Sequence, residues 1–416
     1  MPGIKISAPS KSNLTATIKL NGSKSISNRV LVMQALAGKA GELKNLSNAN
    51  DTTTLLRLLS NESDQILDAG DAGTTYRFMT AYLATSPQRN FLTGSARMLE
   101  RPIGILVEAL NEIGANIRYA GKEGYPPLQI GSPNFDFHDT PVLKIDASIS
   151  SQYISALLII APSLPKGLRL LLEGESVSMP YINMTLSLMN YFGIEAMQNG
   201  TNYHIEPQEY QTKDIEIESD WSAASYFYAI AALSKGEVNL QLKTLYKPSV
   251  QGDAVIADIM HKLGVETVYK PDGTVHISKK TPTKLKDFEY DFTNCPDLAQ
   301  TLAVVLAGLG IRAKLSGLQT LQIKETRRIT ALKTELEKLG AKIEITDDSL
   351  EILEGIKAID KNNLPVIETY KDHRMAMAFA PLVLKLGTLK FDNKLVVNKS
   401  YPAFWADLKI LGFGVK

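Results

Sequence analysis

The chain has 416 residues, 44% apolar and 21% charged, with Lys+Arg 45 against Asp+Glu 44 and a formal net charge of +1. Such a length and composition predict a globular protein of two domains of about 200 residues each, and the even charge balance argues against a general binder of nucleic acid or acidic membranes. Cys295, the single cysteine, excludes an internal disulfide framework and a cysteine-based zinc cluster. The start, "MPGIKISAPSKSNLTATIKL", carries no apolar signal core and no Arg-rich presequence, and no run approaches ~18 consecutive apolar residues, so a cytoplasmic protein is expected.

In chain order, two phrases alternate. "NGSKSISNR" (21–29) opens the first apolar helix, whose small-residue end runs through a turn into a strand in "ALAGKAGELKNL" (35–46). "LLRLLSNESDQIL" (55–67) reads as an apolar helical stripe followed by a strand, and "YLATSPQRNFLTG" (82–94) again as helix, turn and strand. "LVEALNEIGANIRY" (106–119) adds a glycine at the predicted helix C-cap before its strand. The glycine phrase recurs in "LSLMNYFGIEAM" (186–197), "IADIMHKLGVETVY" (256–269), "LKTELEKLGAKIEI" (332–345) and "LKILGFGV" (408–415). The other recurs in "IIAPSLPKGLRLLLEG" (159–174), "AIAALSKGEVNLQL" (229–242), "VLAGLGIRAKLSG" (305–317) and "LVLKLGTLKFDN" (382–393). Six copies of each imply a repeating unit of roughly 70 residues, hence six α/β subdomains, three per lobe, rather than a solenoid. The polar stretch 206–225 is the candidate crossover between lobes.

Helix starts favour Asp and Glu, because the first turn exposes free N–H groups and a partial positive charge. Four predicted helices do the reverse. Lys24 and Arg29 flank the first, where Ser25 or Ser27 can cap; Arg77 begins the helix after "DAGT". Lys324, Arg327 and Arg328 surround the start of a helix whose buried stripe is Ile329, Leu332, Leu336 and Leu339, and His373 and Arg374 follow a capping Asp372. One such inversion is an ordinary solvated side chain, costing a few tenths of a kcal/mol. Four together point to bound anions, since helix N-termini with Arg or Lys hold phosphates and carboxylates. No G-x-x-x-x-G-K-[ST] or strand-to-helix G-x-G-x-x-G motif explains these anions, and His138, His204, His261, His276 and His373 show no metal-ligand spacing. No metal and no cofactor are expected.

At these residues the chain resembles the 5-enolpyruvylshikimate-3-phosphate synthase (3-phosphoshikimate 1-carboxyvinyltransferase) family of enolpyruvyl transferases. The matching segments run in the family's order from "NGSKSISNR" through "AGDAGTTYRF", "TGSARMLERPIG", "ASISSQYISALL" and "SVSMPYINMTLSLM", then "SDWSAASYF", "NCPDLAQTLA", "IKETRRI", "YKDHRMAMAFA" and "VNKSYPAFWADL". The resemblance implies an α/β fold, an inside-out α/β barrel of two lobes, each of three βαβαββ units with helix N-termini directed into a cleft. It puts one lobe at 22–219 and the other at 1–21 plus 220–416. The implied reaction moves the enolpyruvyl group of phosphoenolpyruvate onto the 5-hydroxyl of shikimate 3-phosphate and releases phosphate, in the shikimate pathway to chorismate and the aromatic amino acids. Two small-molecule substrates, a monomer, and domain closure on ligand binding (testable by small-angle scattering) follow as expectations.

Residue by residue, the resemblance implies that Lys24 touches both substrates and assists proton transfer. Ser25, Arg29, Ser150, Ser151, Gln152, Ser178, Tyr181, Asp297 and Lys324 would bind shikimate 3-phosphate. Gly73, Arg97, Gln152, Arg328, Arg374 and Lys399 would join Lys24 around phosphoenolpyruvate, with Arg77 behind the "DAGT" turn. Asp297, ionised at a helix start that Pro296 opens, would take the hydroxyl proton. Glu325 would serve the methylene carbon, and His373 would orient Glu325 or Lys24. Taken alone, Asp297 is an ordinary helix-start carboxylate, and Glu325 a surface partner of Arg328 worth little. Arg327, Asp71 and Phe78 depart from the family pattern, where Asp, Asn and Pro are common.

The sister enzyme acting on UDP-N-acetylglucosamine is the nearest rival. It typically uses a loop cysteine, which "SARMLERP" lacks, and it lacks the "KSISNR" and "DHRMAM" patterns. A non-catalytic anion-binding module would keep the cations without needing Asp297 and Glu325 together.

Overall fold

The computed structural model describes residues 2–61, 64–146, 150–174, 178–279, 283–357 and 365–416, with Ile323 described by its backbone alone. Residues 147–149 of "ASISSQ", and Glu175 with 176–177 of "SVSMPY", therefore lie outside the described residues. The chain divides into two compact units, Gly22–Ile217 and Met1–Asn21 with Glu218–Lys416.

In Gly22–Ile217 the helices are α1 (Lys24–Leu36), α2 (Asn50–Ser60), α3 (Gly73–Ala84), α4 (Gly104–Glu112), α5 (Ser151–Ile160) and α6 (Met179–Tyr191). Helix α5 is buried on almost every side, as an all-round apolar sequence requires, and packs between α3 and α6. Two four-stranded sheets share one topology. Ile66–Asp68 runs parallel to Asn90–Thr93, which pairs antiparallel with Leu128–Gly131, and that in turn with Asn116–Tyr119. Val142–Asp146, Leu168–Glu173, Asn202–Ile205 and Met197–Asn199 repeat the pattern. A third, two-stranded sheet pairs Leu43–Lys44 with Ile215–Glu216. Strands such as Val142–Asp146 alternate buried and exposed residues, so each sheet lays one face on the helices and turns the other to solvent.

The other unit holds α7 (Trp221–Leu233), α8 (Ile256–His261), α9 (Ala299–Leu309), α10 (Arg328–Lys338), α11 (His373–Phe379), α12 (Val383–Leu386) and α13 (Phe404–Ile410). Its three sheets keep the same order, most plainly in Asp287–Asp291, Arg312–Ser316, Leu350–Glu354 and Lys342–Ile345. Helices α7 and α9 are apolar and buried through most of their length and pack on each other beside α11. Helices inside and sheets outside are thus the plan of each unit. The five glycines of the recurring phrase, Gly114, Gly193, Gly264, Gly340 and Gly412, all have φ between 82° and 85°. Each ends a helix in the left-handed conformation and releases the chain into the next strand.

The first helix corrects one expectation. Ser23, with φ −56° and ψ 123°, is its N-cap and accepts from the Ile26 amide at 3.5 Å; Ser25 and Ser27 lie inside the helix. A cap must stand outside the helical turn to face its free N–H groups. Ser27 instead accepts the Ser47 amide at 3.1 Å, tying the helix to the segment that follows it.

Candidate active site

In Gly22–Ile217, Arg29 is the organising residue. It is 2% exposed, and its Nε donates to Thr185 Oγ1 (2.7 Å), Nη1 to the Ser25 carbonyl (2.9 Å), and Nη2 to Ser155 Oγ (2.9 Å) and the Tyr181 carbonyl (3.3 Å). One guanidinium therefore ties α1, α5 and α6. The Phe78 and Tyr181 rings lie 5.5 and 6.0 Å from it, so the unusual Phe78 supports this cation. Burial lowers the Arg29 pKa to about 10. Among the described residues no carboxylate pairs with it, and hydroxyls, carbonyls and rings surround its charge.

Ser150 caps α5 by accepting the Gln152 amide at 3.3 Å, which puts Ser151 and Gln152 in the first turn of the helix that carries Ser155. Ser178 stands just before α6 in the left-handed region, φ 62° and ψ 38°, a strained position for a non-glycine residue. Lys24 Nζ lies 3.7 Å from Oδ2 of Asp51, a buried carboxylate at the start of α2. Gly73 opens α3 beneath two guanidinium groups, since a Cβ there would stand 2.3 Å from Arg101 Nη1 and 2.9 Å from Arg77 Nη1. Arg77 is buried, donates to the Gly73 carbonyl at 2.8 Å and sits 5.5 Å from the Tyr153 ring. Arg97 is exposed on a short turn and pairs with Glu100 at 2.7 Å.

In the other unit Asp297, Glu325, Arg328, Arg374 and Lys399 form one connected cluster. Arg328, at the first position of α10 and 2% exposed, reaches Asp297 Oδ1 at 3.0 Å, Glu325 Oε2 at 2.9 Å and Asp372 Oδ2 at 2.7 Å. Burial pulls its pKa down, but Asp372, Glu325 and Asp297 more than reverse this, and the guanidinium is held firmly charged. Arg374 Nη2 reaches Asp297 Oδ2 at 2.9 Å, and Lys399 Nζ reaches Glu325 Oε1 at 3.0 Å. The Glu325–Arg328 pair, which in isolation reads as a surface contact, has side chains only 14% and 2% exposed. It is part of a shielded network, because Arg328 is the first residue of a helix whose apolar stripe turns it inward.

Local sequence explains the convergence. Pro296 opens the turn that carries Asp297 into α9. Asp372 caps α11 by accepting the Arg374 amide at 2.9 Å, and its other oxygen takes Arg328. His373 is buried, its Nδ1 3.6 Å from Asp372 Oδ1. Lys324 immediately precedes Glu325 and is half-buried. Arg327, the unusual residue at the α10 N-cap, is exposed and donates to Gln322 Oε1 at 3.3 Å. Helices α1, α3, α10 and α11 have no acidic residue in their first turns.

Sequence reasoning missed Asp51, the pairing role of Asp372, and Arg101. Asp372 was visible only as a cap, and nothing local marks Asp51 as the partner of Lys24, because the pairing depends on how two helices pack.

A family model described as EPSP synthase (3-phosphoshikimate 1-carboxyvinyltransferase) matches residues 9–62 and 57–408. Over 412 residues the chain is 46% identical to the 3-phosphoshikimate 1-carboxyvinyltransferase of Bacteroides fragilis, covering 99% of this chain and 98% of that one. It is 36% identical over 427 residues to the enzyme of that name from Cellvibrio japonicus, covering 96% and 97%. The solved structure of EPSP synthase from Acinetobacter baumannii superposes with a TM-score of 0.79 over 100% of both chains, and at 20% identity it shows the fold. With a family model spanning most of its length and relatives of this identity along nearly all of it, the chain belongs to the EPSP synthase family.

Proposed function

We propose that the chain transfers the enolpyruvyl group of phosphoenolpyruvate to the 5-hydroxyl of shikimate 3-phosphate and releases phosphate, by addition and then elimination. The observation that carries this reading is that Asp297 and Glu325, the two carboxylates the proton transfers require, are both held on the single buried guanidinium of Arg328. An anion-binding module has no need to hold two carboxylates among its cations.

In Gly22–Ile217, Arg29 is a buried cation balanced by dipoles and rings. We assign it, with Ser25, Ser150, Ser151, Gln152, Ser178 and Tyr181, to shikimate 3-phosphate, together with Asp297 and Lys324 of the other unit. Lys24, Gly73, Arg97 and Gln152 are assigned to phosphoenolpyruvate, as are Arg328, Arg374 and Lys399. Asp297 takes the hydroxyl proton as oxygen attacks C2, and Glu325, with Lys24, gives a proton to the methylene carbon. Glu325, left as a carboxylate, then takes a proton back from that methyl group as the bond from C2 to the phosphate oxygen breaks and phosphate leaves. His373 acts by orientation through Asp372.

The charges of the cluster support this division of labour. Arg328, Arg374 and Lys399 face Asp297, Glu325 and Asp372 in direct ion pairs. An arriving anion competes for Arg374 and Lys399, loosens their hold on the two acid/base carboxylates and raises the proton affinity of both. Binding thereby helps to prepare the acid that the first step consumes. The chain works as a cytoplasmic monomer without metal or cofactor in this reading; among the described residues no helix is long and apolar enough to cross a membrane.

The test is phosphate release with phosphoenolpyruvate and either shikimate 3-phosphate or UDP-N-acetylglucosamine. Turnover is expected with the first acceptor alone. Turnover with only the second would replace this reading by the sister reaction.

A further inference from the structure

One buried acid beside the cluster has no part in the chemistry above. Asp253 stands on the turn Gly252–Val255 and is 5% exposed. Its Oδ2 accepts a hydrogen bond from Ser222 Oγ, in the first turn of α7. The same Ser222 oxygen accepts from Arg374 Nη2 at 3.3 Å, and that nitrogen also pairs with Asp297. Four residues later on α7, the Tyr226 hydroxyl lies 3.5 Å from Arg374 Nη1, which also donates to the Asp297 carbonyl at 3.2 Å. Gln251 fixes the α7 end of this arrangement, its Oε1 accepting the Trp221 amide at 3.1 Å and its Nε2 donating to the Ser219 carbonyl at 2.8 Å.

We propose that Asp253 and Ser222 are positioning residues that aim the Arg374 guanidinium at phosphoenolpyruvate. The inference rests on the assignment of Arg374 to that substrate. The hydrogen bonds run in one direction: Arg374 donates to Ser222, and Ser222 donates to Asp253. Ser222 has one proton to give, so its bond to Asp253 turns a lone pair toward Arg374. Without this relay the guanidinium loses an acceptor that stays in place when Asp297, another of its partners, takes its proton. Burial, then Asp297, raises the Asp253 pKa to about 7, so near neutral pH the acid adds only part of a negative charge beside Arg374 while its Oδ2 accepts from Ser222.

The experiment measures KM for each substrate and kcat in Ser222→Ala, Asp253→Ala, Asp253→Asn and Arg374→Ala. Loss of one hydrogen bond to a charged group should raise KM for phosphoenolpyruvate about tenfold in Ser222→Ala and Asp253→Ala, leaving KM for shikimate 3-phosphate unchanged. Asp253→Asn, which keeps an acceptor of the same shape, should stay within about threefold of wild type. The Ser222→Ala/Asp253→Ala double variant should be no worse than the poorer single one, since both break one chain. If Arg374→Ala raises KM for phosphoenolpyruvate while Ser222→Ala leaves it within about twofold, the relay is overturned and the assignment of Arg374 stands. If Arg374→Ala itself leaves that KM unchanged, the assignment falls and the relay with it. An equal rise in both KM values would mean a merely structural role and would also overturn the proposal.

Discussion

At the scale of single residues, the two units treat a buried guanidinium in opposite ways. Arg29 is balanced by hydroxyls, carbonyls and rings, whereas Arg328 is fixed by three carboxylates. The first arrangement suits an arriving phosphate, and the second suits side chains that must exchange protons in fixed geometry. Asp297→Ala is therefore expected to lower kcat by ~10²–10⁴-fold, the usual worth of a general base. Calorimetry should find shikimate 3-phosphate still bound, and unchanged kcat would remove Asp297 from the mechanism. Asp253 has a consequence for stability. Burial and then Asp297 raise its pKa from 3.8 to about 7; Arg374 and the Ser222 hydrogen bond oppose the rise, and Asp220 adds to it. Between those two values the folded chain holds a proton that the unfolded chain releases, so stability falls as pH rises through this window. Thermal unfolding of Asp253→Asn should show a shallower fall over the same range. An unaltered slope would mean that Asp253 is not its source.

At the scale of elements, the site is built from helix starts, and what aims them lies elsewhere. Glu335 on α10 is fully buried and accepts from Tyr370 Oη at 2.7 Å, the Glu368 amide at 3.2 Å and Lys338 Nζ at 2.7 Å. It thus pins the chain entering Tyr370 and Lys371, whose φ values of 52° and 57° form the left-handed turn that delivers Asp372 to Arg328. Glu335→Ala should cost about 3 kcal/mol, the scale of breaking a buried charge network. Trp221 and Trp405, the only tryptophans, both lie in this unit, so urea unfolding followed by their fluorescence reads it alone. A midpoint equal to wild type would deny Glu335 this role. The helix–glycine–strand rhythm was legible in the sequence because a left-handed C-cap is a local demand that glycine meets. The basic helix starts were legible for the same reason. Ser23 was missed because nearby serines compete equally for a cap on paper. Asp51, Ser222, Asp253 and Glu335 were missed because their partners lie from 27 to more than 100 positions away, or because an acid on a helix gives no sign of its burial.

At the scale of the whole molecule, the five four-stranded sheets formed by the described residues repeat one design, and helix starts supply charge within each unit. The chemistry asked of these charges leaves an isotopic trace. If a proton is added to the methylene carbon of phosphoenolpyruvate and a methyl proton is later removed, solvent hydrogen must pass into the product. The most direct measurement is mass spectrometry of the product formed from phosphoenolpyruvate and shikimate 3-phosphate in deuterium oxide. The expected result is an enolpyruvyl ether of shikimate 3-phosphate carrying deuterium on its methylene carbon. Absence of that product, or a product whose methylene holds only protium, would contradict addition and elimination at this site.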